Sequence, residues 1–202
     1  SKTARIKHHP ALPYSEVGAF CQMLRDRRDM ASRSLEFLIL TASRTSEVIN
    51  ATWDEIDLSR TLWEIPSARM KAARPHRVAL SSRAVELLDE LRENSSSDFI
   101  FNSPTGSGPL SNMAMLQLVK RSGFEHITVH GFRSTFRDWA AEQTAYPREL
   151  AEYSLAHVVA SKTEAAYQRS DLFIKRQRLM EDWATYCSVT TPKTSSVTTL
   201  RA

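Results

Sequence analysis

The chain has 202 residues, 42% of them hydrophobic, and a formal net charge of +4 at pH 7, which fits one globular domain or a domain with a small satellite. No apolar run is long enough to span a bilayer, no signal-peptide pattern opens the given sequence, and two distant cysteines make no disulfide framework. Composition thus excludes a membrane-spanning or disulfide-stapled protein and indicates a reducing compartment. The excess of Lys and Arg over Asp and Glu, 27 to 23, permits a phosphate-binding face without proving one.

Helical periodicity dominates the beginning of the chain. Residues 1–14 are basic and contain two prolines, which is typical of a linker leading into a domain. Ser15 is predicted to cap a first helix, and a second helix with a continuous apolar stretch is predicted to end near Thr41. Thr45 is predicted to cap a short third helix that contains Glu47.

The pattern then changes to short strands. Residues 56–58 and 62–65 alternate between apolar and polar side chains on either side of three turn residues, so they predict a β-hairpin. Residues 76–80 predict a third strand, and the turn before it carries Lys71 and two arginines. Ser82 is predicted to open the helix that follows.

The second half of the chain is predicted to be helical again. A connection rich in Pro and Gly is expected at 102–110. Helices are then expected at about residues 111–122, 128–142, 147–155 and 171–187. Residues 188–202 are rich in Ser and Thr and are predicted to form a flexible tail. The prediction is a mainly α-helical domain with a small antiparallel β-sheet, an α+β fold, over residues 15–187.

Six side chains from distant parts of the sequence could act together on a phosphodiester. They are Arg44, Lys71, His130, Arg133, His157 and Tyr167. Each guanidinium can donate to two phosphate oxygens, the imidazoles and the ammonium can donate or carry protons, and the phenol can attack phosphorus. Each residue alone is more often a surface or packing residue, so the interpretation depends on the set.

The pair His130 and Arg133 is the most specific part of this set. A spacing of three residues places both on one face of the predicted helix, and Thr128 stands where an N-cap is expected. A helix N-terminus also favours a nearby anion. Because this spacing occurs by chance in many proteins, the flanking residues decide how it is interpreted.

Several short stretches resemble the tyrosine recombinase (phage integrase) family. The stretches that carry the resemblance are His8-His-Pro-Ala-Leu-Pro13, Arg44-Thr-Ser-Glu47, His130-Gly-Phe-Arg133, Leu155-Ala-His157 and Glu164-Ala-Ala-Tyr167. The first is similar to the approach to the catalytic domain in P4-like prophage integrases. The resemblance covers most of the chain and implies the DNA breaking-rejoining catalytic fold. Ser43 and Ala156 stand where the family often has Gly, and these departures concern loop geometry.

The resemblance implies roles for the residues in the first half of the chain. Arg44 would hold a phosphate oxygen pair, and Glu47 would support the site without reacting. Lys71 would lie on the family's β-hairpin and protonate the departing 5′ oxygen. Arg69 and Arg74 are rivals for that place in the same turn.

The remaining roles fall to the second half. Arg133 would be the second arginine that donates to phosphate oxygens. His130 would carry a proton or donate a hydrogen bond to the phosphate. His157 would hydrogen-bond to a non-bridging oxygen. Tyr167 would attack phosphorus, forming a 3′-phosphotyrosyl link and freeing a 5′ hydroxyl that later reverses the step. The link retains the phosphodiester energy, so no cofactor and no metal are expected.

The resemblance also implies the setting in which the chain acts. It implies a site-specific recombinase, an integrase, in the bacterial cytoplasm and associated with the nucleoid. The expected partners are double-stranded DNA attachment sites, further copies in a homo-tetramer on DNA, and DNA-bending accessory proteins, but no membrane. Family members add arm-binding and core-binding domains upstream of the catalytic domain.

Three alternatives stay open: a topoisomerase-like relaxing enzyme with the same chemistry, a DNA-binding domain without catalysis, and a fragment whose residues 171–202 mediate protein contacts. Other site types fit poorly. The sequence lacks a glycine-rich phosphate loop, and His8 and His9 lack a second ligand pair at metal spacing. Acidic residues beside the hairpin, Glu55 among them, are expected to be solvated rather than to bind metal.

Overall fold

The computed structural model describes residues 10–93, 95–106, 108–157 and 172–190. The helices are α1 (Val17–Arg25), α2 (Met30–Thr41), α3 (Thr45–Ile49), α4 (Ser82–Arg92), α5 (Ala114–Arg121), α6 (Gly131–Gln143), α7 (Arg148–Ser154) and α8 (Phe173–Tyr186). The strands are β1 (Ile56–Asp57), β2 (Leu62–Ile65) and β3 (His76–Ala79). The prediction of a mainly helical fold with a small antiparallel sheet is confirmed. Within the described ranges, no helix is long and apolar enough to cross a membrane.

The sheet is antiparallel throughout, in the order β1-β2-β3. Trp63 in the central strand pairs with Ile56 on one side and with Val78 on the other. The first strand is shorter than predicted, because the Asp57 carboxylate accepts a hydrogen bond from the Arg60 N–H and turns the chain into a short 3₁₀ helix. The sheet thereby holds the β2–β3 connection, which carries Lys71, at one edge of the domain.

The caps predicted at Ser15 and Thr45 are wrong, and the helix start predicted at Ser82 is right. Ser15 lies inside a short 3₁₀ turn that precedes α1 and makes no cap. Thr45 is already the first residue of α3, and the carboxylate of Glu47 instead accepts the backbone N–H of Arg44. At α4, which begins at Ser82 as predicted, the hydroxyl of the preceding serine accepts the cap hydrogen bond.

Helix α2 lies at the centre of the core and contacts α1, α4, α5, α6 and α8. On one side, the ring of Phe37 contacts the rings of Trp63 and Phe101. On another side, Trp183 of α8 donates its indole N–H to the carbonyl of Ile39 at 2.8 Å. Trp183 is also one of three fully or nearly fully buried tryptophans. The burial of α2 makes its C-terminal end a fixed reference point for the residues that follow.

Helix α8 is fastened to the sheet by its first turns. The Arg77 guanidinium of β3 lies 4.2 Å from the ring centroid of Phe173. Arg176, itself buried, donates to the carbonyl of Arg77 at 2.6 Å, and Gln177 donates to the Thr61 hydroxyl at 2.8 Å. The helix that follows the Tyr167 segment in sequence is therefore held to the strand that follows Lys71.

The described part of the predicted entry linker packs against α6. Leu12 is buried, and its carbonyl accepts a hydrogen bond from the Thr135 hydroxyl at 2.6 Å. The carbonyl of Pro10 accepts the N–H of Thr128 at 3.0 Å. It also lies where a side chain at Gly131 would have to start, so this close approach requires glycine. The chain thus enters the domain beside the helix that carries Arg133.

Helices α2 and α7 end in turns of the same type. In each turn an alanine has its backbone in the left-handed region. After α2, the N–H groups of Ala42 and Ser43 donate to carbonyls three and five residues back, and Ala42 has φ of 50°. After α7, Ala156 and His157 repeat the same two hydrogen bonds, and Ala156 also has φ of 50°. This is the Schellman motif, in which glycine is usual at the left-handed position. Each turn delivers the chain directly into a predicted site residue.

The left-handed alanine after α7 gives a first prediction. Ala156→Gly should raise the free energy of unfolding by roughly 0.5–1 kcal/mol, because it removes the Cβ strain and this gain exceeds the added entropy of the unfolded chain. Urea unfolding measures the change. Ala141→Gly, at an exposed position within α6, is the matched control and should lower stability. Equal destabilisation by both substitutions would contradict the strain at Ala156.

Candidate active site

Arg133 is the residue that joins the separate parts of the site. Its side chain is buried, with 4% of the residue exposed, and it points between the C-terminal ends of α2 and α7. One terminal nitrogen donates to the carbonyl of Ala42, and the other donates to the carbonyl of Leu155 at 2.6 Å. The second nitrogen also lies 3.1 Å from Nε2 of His157. A cation suits this position because the C-terminal end of a helix carries partial negative charge.

Arg44 lies two residues after the turn that Arg133 holds. Its guanidinium donates to Oε1 of Glu47 at 2.6 Å, and its backbone N–H donates to Oε2 of the same carboxylate at 2.8 Å. Glu47 is buried, whereas the Arg44 side chain keeps a quarter of its surface exposed. The glutamate therefore fixes both the backbone and the charged group of Arg44, which is the supporting position that the sequence suggested for it.

Arg69, Lys71 and Arg74 are the candidates for the lysine position, and they lie in different environments within the β2–β3 connection. Arg69 donates to the carbonyls of Glu47 and Asn50 and forms an ion pair with Glu55 at 2.8 Å. The expectation that Glu55 is solvated is wrong. Its side chain is 7% exposed and also accepts the indole N–H of Trp63. Arg69 is thus committed to holding α3 against the sheet. Lys71 and Arg74 remain exposed in the turn.

His157 has its two ring nitrogens in different environments. Nε2 faces Arg133, and Nδ1 lies 2.6 Å from Oε2 of Glu152. A guanidinium can only donate, so Nε2 accepts and the proton of the neutral ring lies on Nδ1. The ring is thereby oriented with Nε2 towards Arg133.

His130 lies directly before the first residue of α6 and is exposed. The hydroxyl of Thr128 accepts the N–H of Gly131 at 3.0 Å, so Thr128 caps this turn as predicted, although the regular helix begins three residues later. Since Arg133 follows within the first turn of α6, both residues of the predicted pair lie at the N-terminal end of that helix. There the positive end of the helix dipole favours an anion.

The charges around Arg133 are unbalanced. Burial first, and then the nearby charge of Arg44, lower the pKa of its guanidinium to about 10, against the opposing effects of Glu47 and Glu152. The group is still charged at neutral pH. A positive charge that is disfavoured by burial and by a second arginine is stabilised by an anion, which is the condition expected of a phosphate site.

His76 is a neighbour of the site that the sequence analysis did not single out. It begins β3 and is partly buried. Burial first, and then the charges of Arg176 and Arg44, lower its pKa to about 4, although Glu47 and the backbone of Ser154 favour the protonated ring. It is therefore neutral at physiological pH. No sequence signal distinguished His76, because its position is typical of an ordinary strand residue.

Tyr167 lies outside the described residues, so the structure neither places it at the site nor away from it. The other four tyrosines are partly buried. Hydrogen bonds to Glu142 and Asp182 raise the pKa of Tyr14 and Tyr146 respectively, and burial raises that of Tyr186. A carboxylate beside a phenol opposes the phenolate that nucleophilic attack requires.

The structure thus brings together Arg44, Glu47, Arg133 and His157, which come from three separated stretches of sequence. The cluster contains two guanidinium groups, which can donate to phosphate oxygens, and Lys71 and His130 are exposed. Glu152 and His76 are the members of this neighbourhood that sequence reasoning missed. The available signal for Glu152 was a carboxylate within the helix predicted at 147–155, five residues before His157.

Comparison with solved structures identifies the class of fold. A lambda integrase dimer bound to a COC′ core site matches with a TM-score of 0.59 and 21% identity, over 85% of this chain and 51% of the other. XerA recombinase matches with a TM-score of 0.61 and 16% identity, over 87% and 65%. The fold is that of tyrosine recombinase catalytic domains.

The sequence itself matches the phage integrase family over residues 12–172. Prophage integrase IntZ of Escherichia coli (strain K12) is 36% identical over 186 residues, which cover 91% of this chain and 46% of that protein. The integrase of Enterobacteria phage P4 is 28% identical over 200 residues, covering 90% and 46%. The chain belongs to the phage integrase family, and the P4-like resemblance is confirmed. It spans less than half the length of these relatives.

The contacts of Arg133 predict a structural role alongside any chemical one. Arg133→Ala should lower the free energy of unfolding by at least about 2 kcal/mol, because two buried carbonyls lose their donor. Urea unfolding measures the loss. Arg137→Ala is the matched control, one turn along α6, where a half-exposed ion pair with Glu152 should contribute less than about 1 kcal/mol. A stable Arg133→Ala protein would show that the carbonyls find other partners.

His76 predicts a pH dependence of stability. Its pKa is about 4 in the folded protein against 6.5 in the unfolded chain, so between these values only the unfolded chain binds the proton. Stability is then complete above pH 6.5 and is lost as pH falls towards 4, by up to about 1.4 kcal/mol per pH unit. His76→Gln should flatten the slope of unfolding free energy across this window. An unchanged slope would contradict the neutral, buried state of His76.

Proposed function

We propose that this chain is the catalytic part of a site-specific DNA recombinase, an integrase, which cleaves and rejoins DNA through a 3′-phosphotyrosyl intermediate. The observation that carries the proposal is the convergence of Arg44, Arg133 and His157 on one pocket. These residues lie far apart in sequence, yet Arg133 contacts the turn before Arg44 and the ring of His157 directly. A domain that only bound DNA would not need to gather these groups at one point.

In the proposed reaction, the phenolic oxygen of Tyr167 forms a bond to phosphorus while the bond from phosphorus to the 5′ oxygen breaks. Lys71 supplies the proton to the departing 5′ oxygen. Arg44 and Arg133 donate to the non-bridging oxygens, and His157 adds a further hydrogen bond to them. In the second half, a 5′ hydroxyl attacks the phosphotyrosine and the phenol leaves, so bond energy and atoms balance without a cofactor.

The charges explain why a phenol can serve as nucleophile here. A free tyrosine has a pKa of about 10, so it is a poor nucleophile at neutral pH. Two guanidinium groups near the phosphate favour the phenolate and also the charge that develops on the transferring phosphoryl group. His130 sits at the open end of α6, where it can carry a proton to or from the reacting oxygens.

The solved relatives suggest the partners. The lambda integrase structures include a dimer bound to a COC′ core site and a tetramer bound to a Holliday junction. We propose that this chain acts on double-stranded attachment sites within a homo-tetramer, with DNA-bending proteins setting the direction. The chain spans less than half the length of prophage integrase IntZ and of the phage P4 integrase, so we propose the cleavage and rejoining chemistry for it and assign no residues to recognition of the site.

The same residues would also suit a topoisomerase-like enzyme that relaxes DNA. The two activities share the cleavage step and differ in whether the freed 5′ hydroxyl joins its own strand or another. An assay with two differently labelled attachment sites separates them, because exchanged labels require recombination. The relation to prophage integrases favours exchange.

The nucleophile is tested with a nicked suicide substrate that traps the covalent intermediate. Wild-type protein should form a protein–DNA adduct that resists denaturation, and Tyr167→Phe should form none, because it lacks the attacking oxygen. Tyr146→Phe is the matched control, since that hydroxyl binds Asp182 instead, and its adduct should persist. Denaturing gel electrophoresis measures the adduct.

Two outcomes would count against the assignment. An adduct formed by Tyr167→Phe would show that another residue attacks phosphorus. Complete absence of an adduct with the wild type, supplied with cognate duplex and the remaining domains, would remove the proposed activity.

A further inference from the structure

Glu152 on α7 holds His157 through both its backbone and its side chain. Its carbonyl accepts the backbone N–H of His157 at 2.9 Å, which closes the turn at the end of α7. Its carboxylate oxygen Oε2 lies 2.6 Å from Nδ1 of the same histidine. The two contacts fix the position of the chain and the orientation of the ring together.

The carboxylate of Glu152 is itself fixed on its other side. Oε1 lies 3.2 Å from Nε of Arg137 on α6 and 3.6 Å from Nε of Arg148 one turn earlier on α7. Burial opposes ionisation of Glu152, but the hydrogen bond from His157 and the charges of the two arginines outweigh it and lower its pKa. The group is therefore an anion with one oxygen assigned to the arginines and the other to the imidazole.

The contact determines which ring nitrogen of His157 carries the proton. A carboxylate accepts a hydrogen bond, so Nδ1 is protonated, and Nε2 is left to accept from Arg133. If Glu152 were absent, a proton on Nε2 would face the N–H of Arg133 across 3.1 Å, and the ring would turn away. The same carboxylate would stabilise the doubly protonated ring when Nε2 donates to a phosphate oxygen.

We propose that Glu152 is a positioning residue that holds His157 by Nδ1 and so directs Nε2 to Arg133 and the phosphate. The proposal rests on the proposed function in one respect, namely that His157 contacts the scissile phosphate. The orientation of the ring in the free protein does not depend on that function and can be measured separately.

The first test reads the tautomer directly in DNA-free protein. Long-range ¹H–¹⁵N correlation spectra of the imidazole rings, with the His157 signals assigned by their loss in His157→Gln, should show the proton on Nδ1. Glu152→Ala should move it towards Nε2, whereas Glu152→Gln, which keeps an acceptor oxygen, should retain much of the wild-type pattern. Glu149→Gln removes a charge from the same helix one turn earlier and should leave the spectrum unchanged.

The second test measures single-turnover adduct formation on the suicide substrate at saturating DNA. Glu152→Ala should slow cleavage by roughly 10- to 100-fold, as when other carboxylates that orient a functional imidazole are removed, with unchanged DNA affinity. Glu152→Gln should lie between Ala and wild type, and Glu149→Gln should match wild type. In a His157→Gln background, Glu152→Ala should add no further loss, because it acts through the ring that is missing.

The outcomes separate positioning from a merely structural role. A His157 ring that keeps its Nδ1 proton in Glu152→Ala would overturn the proposal. So would an equal slowing by Glu152→Ala with and without His157, since that would show that the carboxylate only joins α6 to α7. If wild type forms no adduct, the proposed function fails, and the tautomer spectra still decide the positioning by Glu152.

Discussion

The organisation of the site depends on one buried guanidinium that bridges the ends of two helices. Arg133 donates to the turn that follows α2 and to the turn that follows α7, and each turn leads into another residue of the site. The planar fork suits this task because its donors diverge at fixed angles, which a lysine ammonium does not reproduce. Arg44 and His157 are thereby brought together although 112 residues separate them in sequence.

This arrangement concentrates positive charge and then restrains it with a few carboxylates. Glu47 holds Arg44, and Glu152 holds His157, while the carbonyl groups at the two helix ends face Arg133. Each of these acceptors orients a donor, while burial first and then the charge of Arg44 lower the pKa of Arg133. Such fixed dipoles and charges stabilise a transition state because they need little rearrangement when the reaction occurs.

Much of the fold and of the site was predictable from sequence, because helical periodicity, short alternating strands and family-like boxes are local signals. The pairing of Arg44 with Glu47 and the cap by Thr128 fall in this group. What sequence could not supply were contacts between distant segments. The burial of Glu55 depends on Arg69, and nothing in the sequence near either residue announces the partner. The left-handed Ala156 was likewise visible only as a departure from the family's Gly.

The same contacts indicate how the site would admit the phosphate of the proposed substrate. In the free protein, Arg44 is paired with a carboxylate at 2.6 Å, and Arg133 shares a terminal nitrogen between a carbonyl and His157. The carbonyl contacts hold the fold and have to persist, so the contact with the imidazole is the one that a phosphate can replace. Replacement would free Nε2 of His157, which gains a proton and then donates to the same phosphate, with Glu152 still holding Nδ1. One exchanged hydrogen bond and one added proton, rather than movement of a helix, then admit the anion.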